Sequence, residues 1–293
     1  MSSADQKTAA EAGDESFAFV AELAGDLSKG NVELPSFPDI AMRVRKVLSN
    51  DDVSTPDVVR VVGSEPALAA RILSMANSAA LGRSDRPIAE LRSAVTRIGF
   101  NLVRSAAIAF AMAQLRRVDA FKDFREPLSA HWERSATVAA YSHVVARRHS
   151  EVNPDTALLA GLLHGVGKLY ILARGAKHPK LFADPAAYHA IELDWHASIA
   201  RAVLENWGLS DDIINAVHDH EDLWREHDGA PDLTDVLTVA ASLTTFHAWP
   251  DTLELNLQGV KAAERMHLDR VAIDLLVGEA NREVALIKQT LGM

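Results

Sequence analysis

The chain has no cysteine. That excludes a disulfide framework, a thiolate nucleophile and a Cys-ligated zinc, and it is compatible with a reducing compartment. Aromatic residues are scarce, at 6% of the 293 positions, while Ala, Leu and Val dominate, a balance that favours helix packing over sheet. Basic charge is in deficit: 30 Lys and Arg stand against 40 Asp and Glu, for a formal net charge of −10. Broad binding to nucleic acid or to an anionic membrane surface is disfavoured, because both attract basic surfaces. No run approaches the roughly 18 apolar residues of a membrane span. The opening MSSADQKTAAEAGDES has neither an apolar signal core nor a basic transit pattern. A cytoplasmic protein without membrane association is expected.

What is present is ordinary globular material: 48% hydrophobic and 24% charged residues, enough for one large or two small domains. Residues 1–15 read as a disordered lead-in. Beyond them apolar residues recur at helical spacing, as with Ile40, Val44, Val47 and Leu48. Thr55-Pro56 and Asn153-Pro154 each place a cap residue before a first-turn proline. Helices are expected at about 16–27, 40–48, 56–62, 65–77, 84–100 and 101–115 with a break around Gly99, 128–148, 153–173, 186–207, 210–225, 232–247, 256–263 and 269–290. The charged stretch RRVDAFKDFREP, 116–127, is the best junction between halves. With no strand-like alternation and no internal repeat, the chain reads as all-α.

Twelve histidines raise the question of a metal site. His164 follows Ala157, Ala160 and Gly161 on one face, where small residues permit close approach. His196 shares a face with Ala200, Val203 and Trp207, and His220 with Ile213, Val217 and Trp224. All three should point inward, whereas His143, His149, His178, His189 and His227 read as surface or loop residues. Arg134, in line with Val138, Tyr141 and Val145, should also point inward. An imidazole on an inward face is more often a hydrogen-bonded core residue than a ligand. The segment GVGK at 165–168 lacks the spacing and hydroxyl residue of a phosphate-binding loop. Arginines at 83, 86, 92, 97 and 104 form either a solvated surface or a docking patch.

The segments LPSFPDIAMRV, EPALAARILSMANSA, AVTRIGFNLVRS, GLLHGVGKL and HxxIAxxVLxxWGLSxxIxxAVxxH occur in this order from Leu34 to His220. Together they resemble the HDOD family, the HD-related output domain of bacterial signalling proteins. The resemblance implies an N-terminal helical bundle packed on a degenerate HD-like helical bundle. It places a flexible or partly helical extension at 1–33 and the HDOD domain at 34–250, with lobes at about 34–120 and 128–250. C-terminal helices at 251–293 would pack on the HD-like lobe.

Measured against metal-dependent HD phosphohydrolases, the resemblance puts Arg134 at the first histidine, Gly165 at the aspartate after His164, and Ala241 at the later aspartate. Only His164 of the four ligands remains. Two-metal hydrolysis needs anionic ligands and an open position to ionise water, and a guanidinium cannot coordinate. The resemblance therefore implies a non-catalytic regulatory module, with no catalytic residues, cofactor or metal expected. Such a module would act in trans on signalling proteins of the receiver, diguanylate-cyclase or phosphodiesterase type. Two alternatives stay open. One is a phosphohydrolase with a rearranged single divalent metal on His164, His196, His220 and Glu221; the other is a sensor that binds a nucleotide or cyclic dinucleotide without cleaving it. On the regulatory reading Arg134 would fill the vacated metal volume, paired with Glu221 or capped by carbonyls, and Lys168 would anchor a helix end or a surface pair.

Overall fold

Fourteen α-helices and a short 3-10 turn make up a computed structural model that describes residues 3–30, 32, 39–48, 50, 52–77, 87–115, 123–246 and 250–290. No strand occurs among the described residues. The residues expected to form the inter-lobe junction fall partly outside this set, as do Arg83 and Arg86 of the arginine patch.

Helices α2 (Asp39–Leu48), α3 (Thr55–Gly63), α4 (Pro66–Ala76) and α5 (Leu91–Leu115) form the N-terminal lobe. Their apolar stripes close on one another through Val44, Val58, Val62, Ile72, Val95 and Val103, all essentially inaccessible. The expected break in α5 is present: Gly99 adopts φ 75°, a left-handed conformation that side chains disfavour, and the helix changes direction there. Arg104 is not a free surface charge. Its guanidinium donates to the Leu48 carbonyl at 2.9 Å, satisfying a terminal acceptor of α2.

The second lobe is built around α6 (Arg125–His149), α7 (Pro154–Leu163), α8 (Val166–Gly175), α9 (Pro185–Asn206), α10 (Asp211–Asp219) and α11 (Leu233–Phe246). Asn153 caps α7 by accepting from the Asp155 and Thr156 amides, with Pro154 in the first turn as expected. Helix α12 (Pro250–Leu257), α13 (Lys261–Arg265) and α14 (Arg270–Thr290) follow, and α14 lies along α6. That contact is fixed by Tyr141 Oη donating to Asn281 Oδ1 at 2.9 Å and by Arg148 Nε on Glu279 at 2.8 Å.

Three expectations need correction. The lead-in at 1–15 is helical from Ser3, as part of α1 (Ser3–Ser28). Its second half buries Phe19 and Leu23 completely. Asp26 of α1 accepts from Tyr170 Oη at 2.7 Å and from Arg174 Nε at 3.0 Å, both on α8. Polar composition had hidden a helix whose apolar residues begin only at its midpoint. The span expected at 153–173 is two helices, because the chain turns at His164-Gly165. Finally, Pro154–Gly175 does meet the length and hydropathy of a membrane span. Almost all of it is buried inside the fold, as expected of a core helix pair covered on every side.

A histidine cluster with an internal ammonium

The site begins with two glycines that let helices touch backbone to backbone. A Cβ on Gly161 would lie 2.5 Å from the Ala139 Cα, so α7 lies directly on α6. A Cβ on Gly167 would lie 1.9 Å from the His196 carbonyl oxygen, so the first turn of α8 lies directly on α9. These contacts place His164, Lys168 and His196 at one junction. The last turn of α10 brings His220 and Glu221 to the same point.

His164, His196 and His220 are all buried, as their apolar faces predict. His164 Nδ1–H donates to the Gly161 carbonyl and His220 Nδ1–H to the Val217 carbonyl, each at 2.8 Å. Both rings are thereby fixed with Nε2 as the remaining lone-pair nitrogen. They meet edge to face, with ring centroids 5.7 Å apart. Glu221 is divided between two partners. Lys168 Nζ donates to Oε1 at 2.9 Å, and His196 Nε2 stands 3.0 Å from Oε2, where the proton must lie on that nitrogen. His220 Nε2 is 3.9 Å from Oε1.

The electrostatics follow from burial and charge. Burial holds the His164 imidazole well below its ordinary pKa, with His220 nearby adding to the effect. Burial likewise depresses His220, to about 4. The His196 hydrogen bond, followed by the Lys168 ammonium, keeps the Glu221 carboxyl far below the usual carboxylate range against the opposing effect of burial. At neutral pH His164 and His220 are thus neutral imidazoles and Glu221 is a carboxylate.

Sequence reasoning missed His131. Its ring lies where a side chain at residue 165 would go: a Cβ on Gly165 would be 2.4 Å from its Cε1. Burial, with Lys168 and Arg134 adding positive charge, depresses its pKa to about 4. The signal was available, since His131 lies one turn before Arg134 on the same helix.

The HDOD domain pattern matches residues 34–223. The chain belongs to the HDOD family. The solved structure of a Shewanella amazonensis SB2B protein, provisionally named a metal-dependent phosphohydrolase, is 28% identical; it covers 91% of this HDOD chain and 99% of its own, with a TM-score of 0.66. An HDOD domain protein of unknown function from Geobacter sulfurreducens is 24% identical, covers 93% and 98% of the two chains, and has a TM-score of 0.64, a likeness of fold. An uncharacterized protein of Treponema pallidum (strain Nichols) is 23% identical over 219 residues, 69% of this chain; the HDOD chain spans only 40% of that relative's length.

The three positions that depart from the HD ligand pattern can now be located. Gly165 is the turn between α7 and α8, filled by His131. Ala241 lies on α11, and its carbonyl accepts from Thr245 Oγ1 at 2.9 Å. Arg134 in turn donates to Thr245 Oγ1 at 3.0 Å. Arg134 does not fill the interior of this HDOD site, contrary to the sequence expectation. It is exposed, and no carboxylate lies within 4.0 Å of it among the described residues; Glu221 attracts it only at longer range. Val138, Tyr141 and Val145 are buried on its face of α6. At Arg134, however, α11 has reached its last turn, so the face emerges at the rim. Trp224 is likewise exposed, because α10 ends at Asp219 rather than continuing to 225.

With Lys168 on Glu221, the residues of this HDOD site do not present a ready set of donors for a divalent metal. The donors of His164, His196, His220 and Glu221 do not form a set lying within 4.8 Å of one another. One described trio does, His227, Asp232 and Asp235, but it is an ion-pair network. Arg265 binds Asp235 at 2.8 Å, Arg225 binds Asp232 at 2.6 Å, and His227 Nε2 binds Asp235 at 2.9 Å. Asp232 and Asp235 also exchange amide bonds, at 3.1 and 3.0 Å, which caps α11. Its carboxylates are already neutralised by cations, and an ion would have to displace two guanidiniums.

Gly165→Asp should not rebuild a ligand set. The new side chain would collide with the His131 ring, and the expected cost is about 1–2 kcal/mol, measured by urea denaturation. His131→Ala in the same chain should relieve most of that loss.

Proposed function

We propose that this HDOD chain is a non-hydrolytic regulatory module of bacterial signalling that acts in trans on a protein partner. The observation that carries this reading is the pairing of Lys168 with Glu221. The carboxylate nearest the three histidines is engaged by an ammonium, and the positions of the two HD aspartates hold glycine and alanine. With glycine and alanine at those positions, the bridging anions that two-metal hydrolysis calls for are missing. The helical architecture is then a scaffold for recognition, with partners of the receiver, diguanylate-cyclase or phosphodiesterase type as the candidates.

The test is turnover. Purified protein supplied with Mn²⁺ or Mg²⁺ should release no phosphate from p-nitrophenyl phosphate, nucleotides or cyclic dinucleotides above a His164→Ala control. Metal-dependent release abolished by His164→Ala would favour the rearranged phosphohydrolase instead. One observation favours a second, related reading. The exposed Arg134 guanidinium, with no carboxylate within 4.0 Å among the described residues, flanks the cluster and suits an anionic ligand such as a nucleotide. Saturable nucleotide binding without product, weakened by Arg134→Ala, would support the sensor over partner recognition alone.

A further inference from the structure

We propose that the Lys168 ammonium is a built-in cation that has taken over the charge-balancing work of a divalent ion, so that the histidine cluster is held together without metal. A divalent ion brings two positive charges and calls for several carboxylates around it. An ammonium brings one and needs one. The site holds that balance: Glu221 is the carboxylate that reaches the cluster, and it accepts from Lys168 at 2.9 Å. Loss of the aspartates at 165 and 241 then leaves no charge uncompensated.

Glu221 offers an ion no unengaged oxygen. Glu221 Oε1 is taken by Lys168, and Oε2 faces the proton-bearing Nε2 of His196 at 3.0 Å. A lysine in the first turn of α8 also opposes the helix dipole. Glu221 offsets that cost, which ties the lysine to this partner rather than to solvent.

The inference rests on the non-hydrolytic reading of the site, but it is tested by metal binding and melting temperature rather than by turnover, so the two can fail separately. Co²⁺ is the probe, since its visible absorption reports coordination. Wild-type protein should bind no stoichiometric Co²⁺, and its melting temperature should be unmoved by Co²⁺ or EDTA. Lys168→Ala should melt about 2–4 °C lower, the shift of a roughly 1 kcal/mol loss in a chain of this size. It should bind one equivalent of Co²⁺ with a new visible band and recover its melting temperature in doing so. His196→Ala added to it should abolish the band. Lys168→Arg, which keeps the cation, should stay spectrally silent; Lys168→Gln serves as the neutral variant if the alanine form does not fold. One equivalent of Co²⁺ on the wild type, or neutral variants that fold with wild-type stability and bind none, would overturn the proposal.

Discussion

Gly167→Ala is expected to destabilise the protein by about 3 kcal/mol or more, at the upper end of what overpacking costs. The reason is the atom it would strike. An added methyl would sit 1.9 Å from the His196 carbonyl oxygen, 2.8 Å from its carbon and 3.1 Å from the Ala200 nitrogen. All are backbone, so no side chain can rotate aside, and α8 must lift from α9. Lifting it moves Lys168 off Glu221 and His196 away from the cluster. Urea denaturation measures the loss, and loss of the protected His196 ring resonance in NMR spectra should accompany it. Gly25→Ala is the control, because a Cβ there meets nothing within 4 Å. A wild-type midpoint for Gly167→Ala would show that α8 and α9 are not in backbone contact.

The second large effect is acid sensitivity. His220 is buried to 3% exposure, and its pKa is depressed to about 4 from an ordinary 6.5. The unfolded chain therefore takes up the proton first as pH falls. Stability from this residue is fully present above about pH 6.5 and is lost progressively down to about pH 4. The loss from His220 alone is on the order of 3 kcal/mol. His164 and His131 are shifted in the same direction and add to it. Glu221, whose folded carboxyl also titrates below its unfolded value, loses its share only at lower pH. Unfolding free energies at pH 7 and pH 4.5 should differ by several kcal/mol, and His220→Gln should flatten that dependence. An unchanged slope in His220→Gln would mean that the ring is solvated in the native state.

These two effects share an origin. Small residues bring helices together closely enough that the imidazoles between them lose water. Once dry, they need fixed partners: the Gly161 and Val217 carbonyls for His164 and His220, which stay neutral, and Glu221 for His196. Glu221 in turn needs a cation, and Lys168 supplies it.

The amino-acid sequence by itself determined the helical class, the family and the inward direction of His164, His196 and His220. Each of those is a local property: a 3.6-residue period, an ordered set of motifs, or a position on one apolar face. It also foretold the close approach at Gly161 and the break at Gly99. Only the tertiary structure decided which side chains meet. Arg134 carries a buried helical face in its periodicity, yet α11 ends beside it and leaves it at the rim. Lys168 looks like a surface lysine until α10 delivers Glu221 to it from 53 residues away. His131 stands one turn before Arg134, yet its role depends on the space left by a glycine outside its own helix. Periodicity reports the direction a residue faces from its own helix, whereas the identity of its partner is set by how far the neighbouring helices extend.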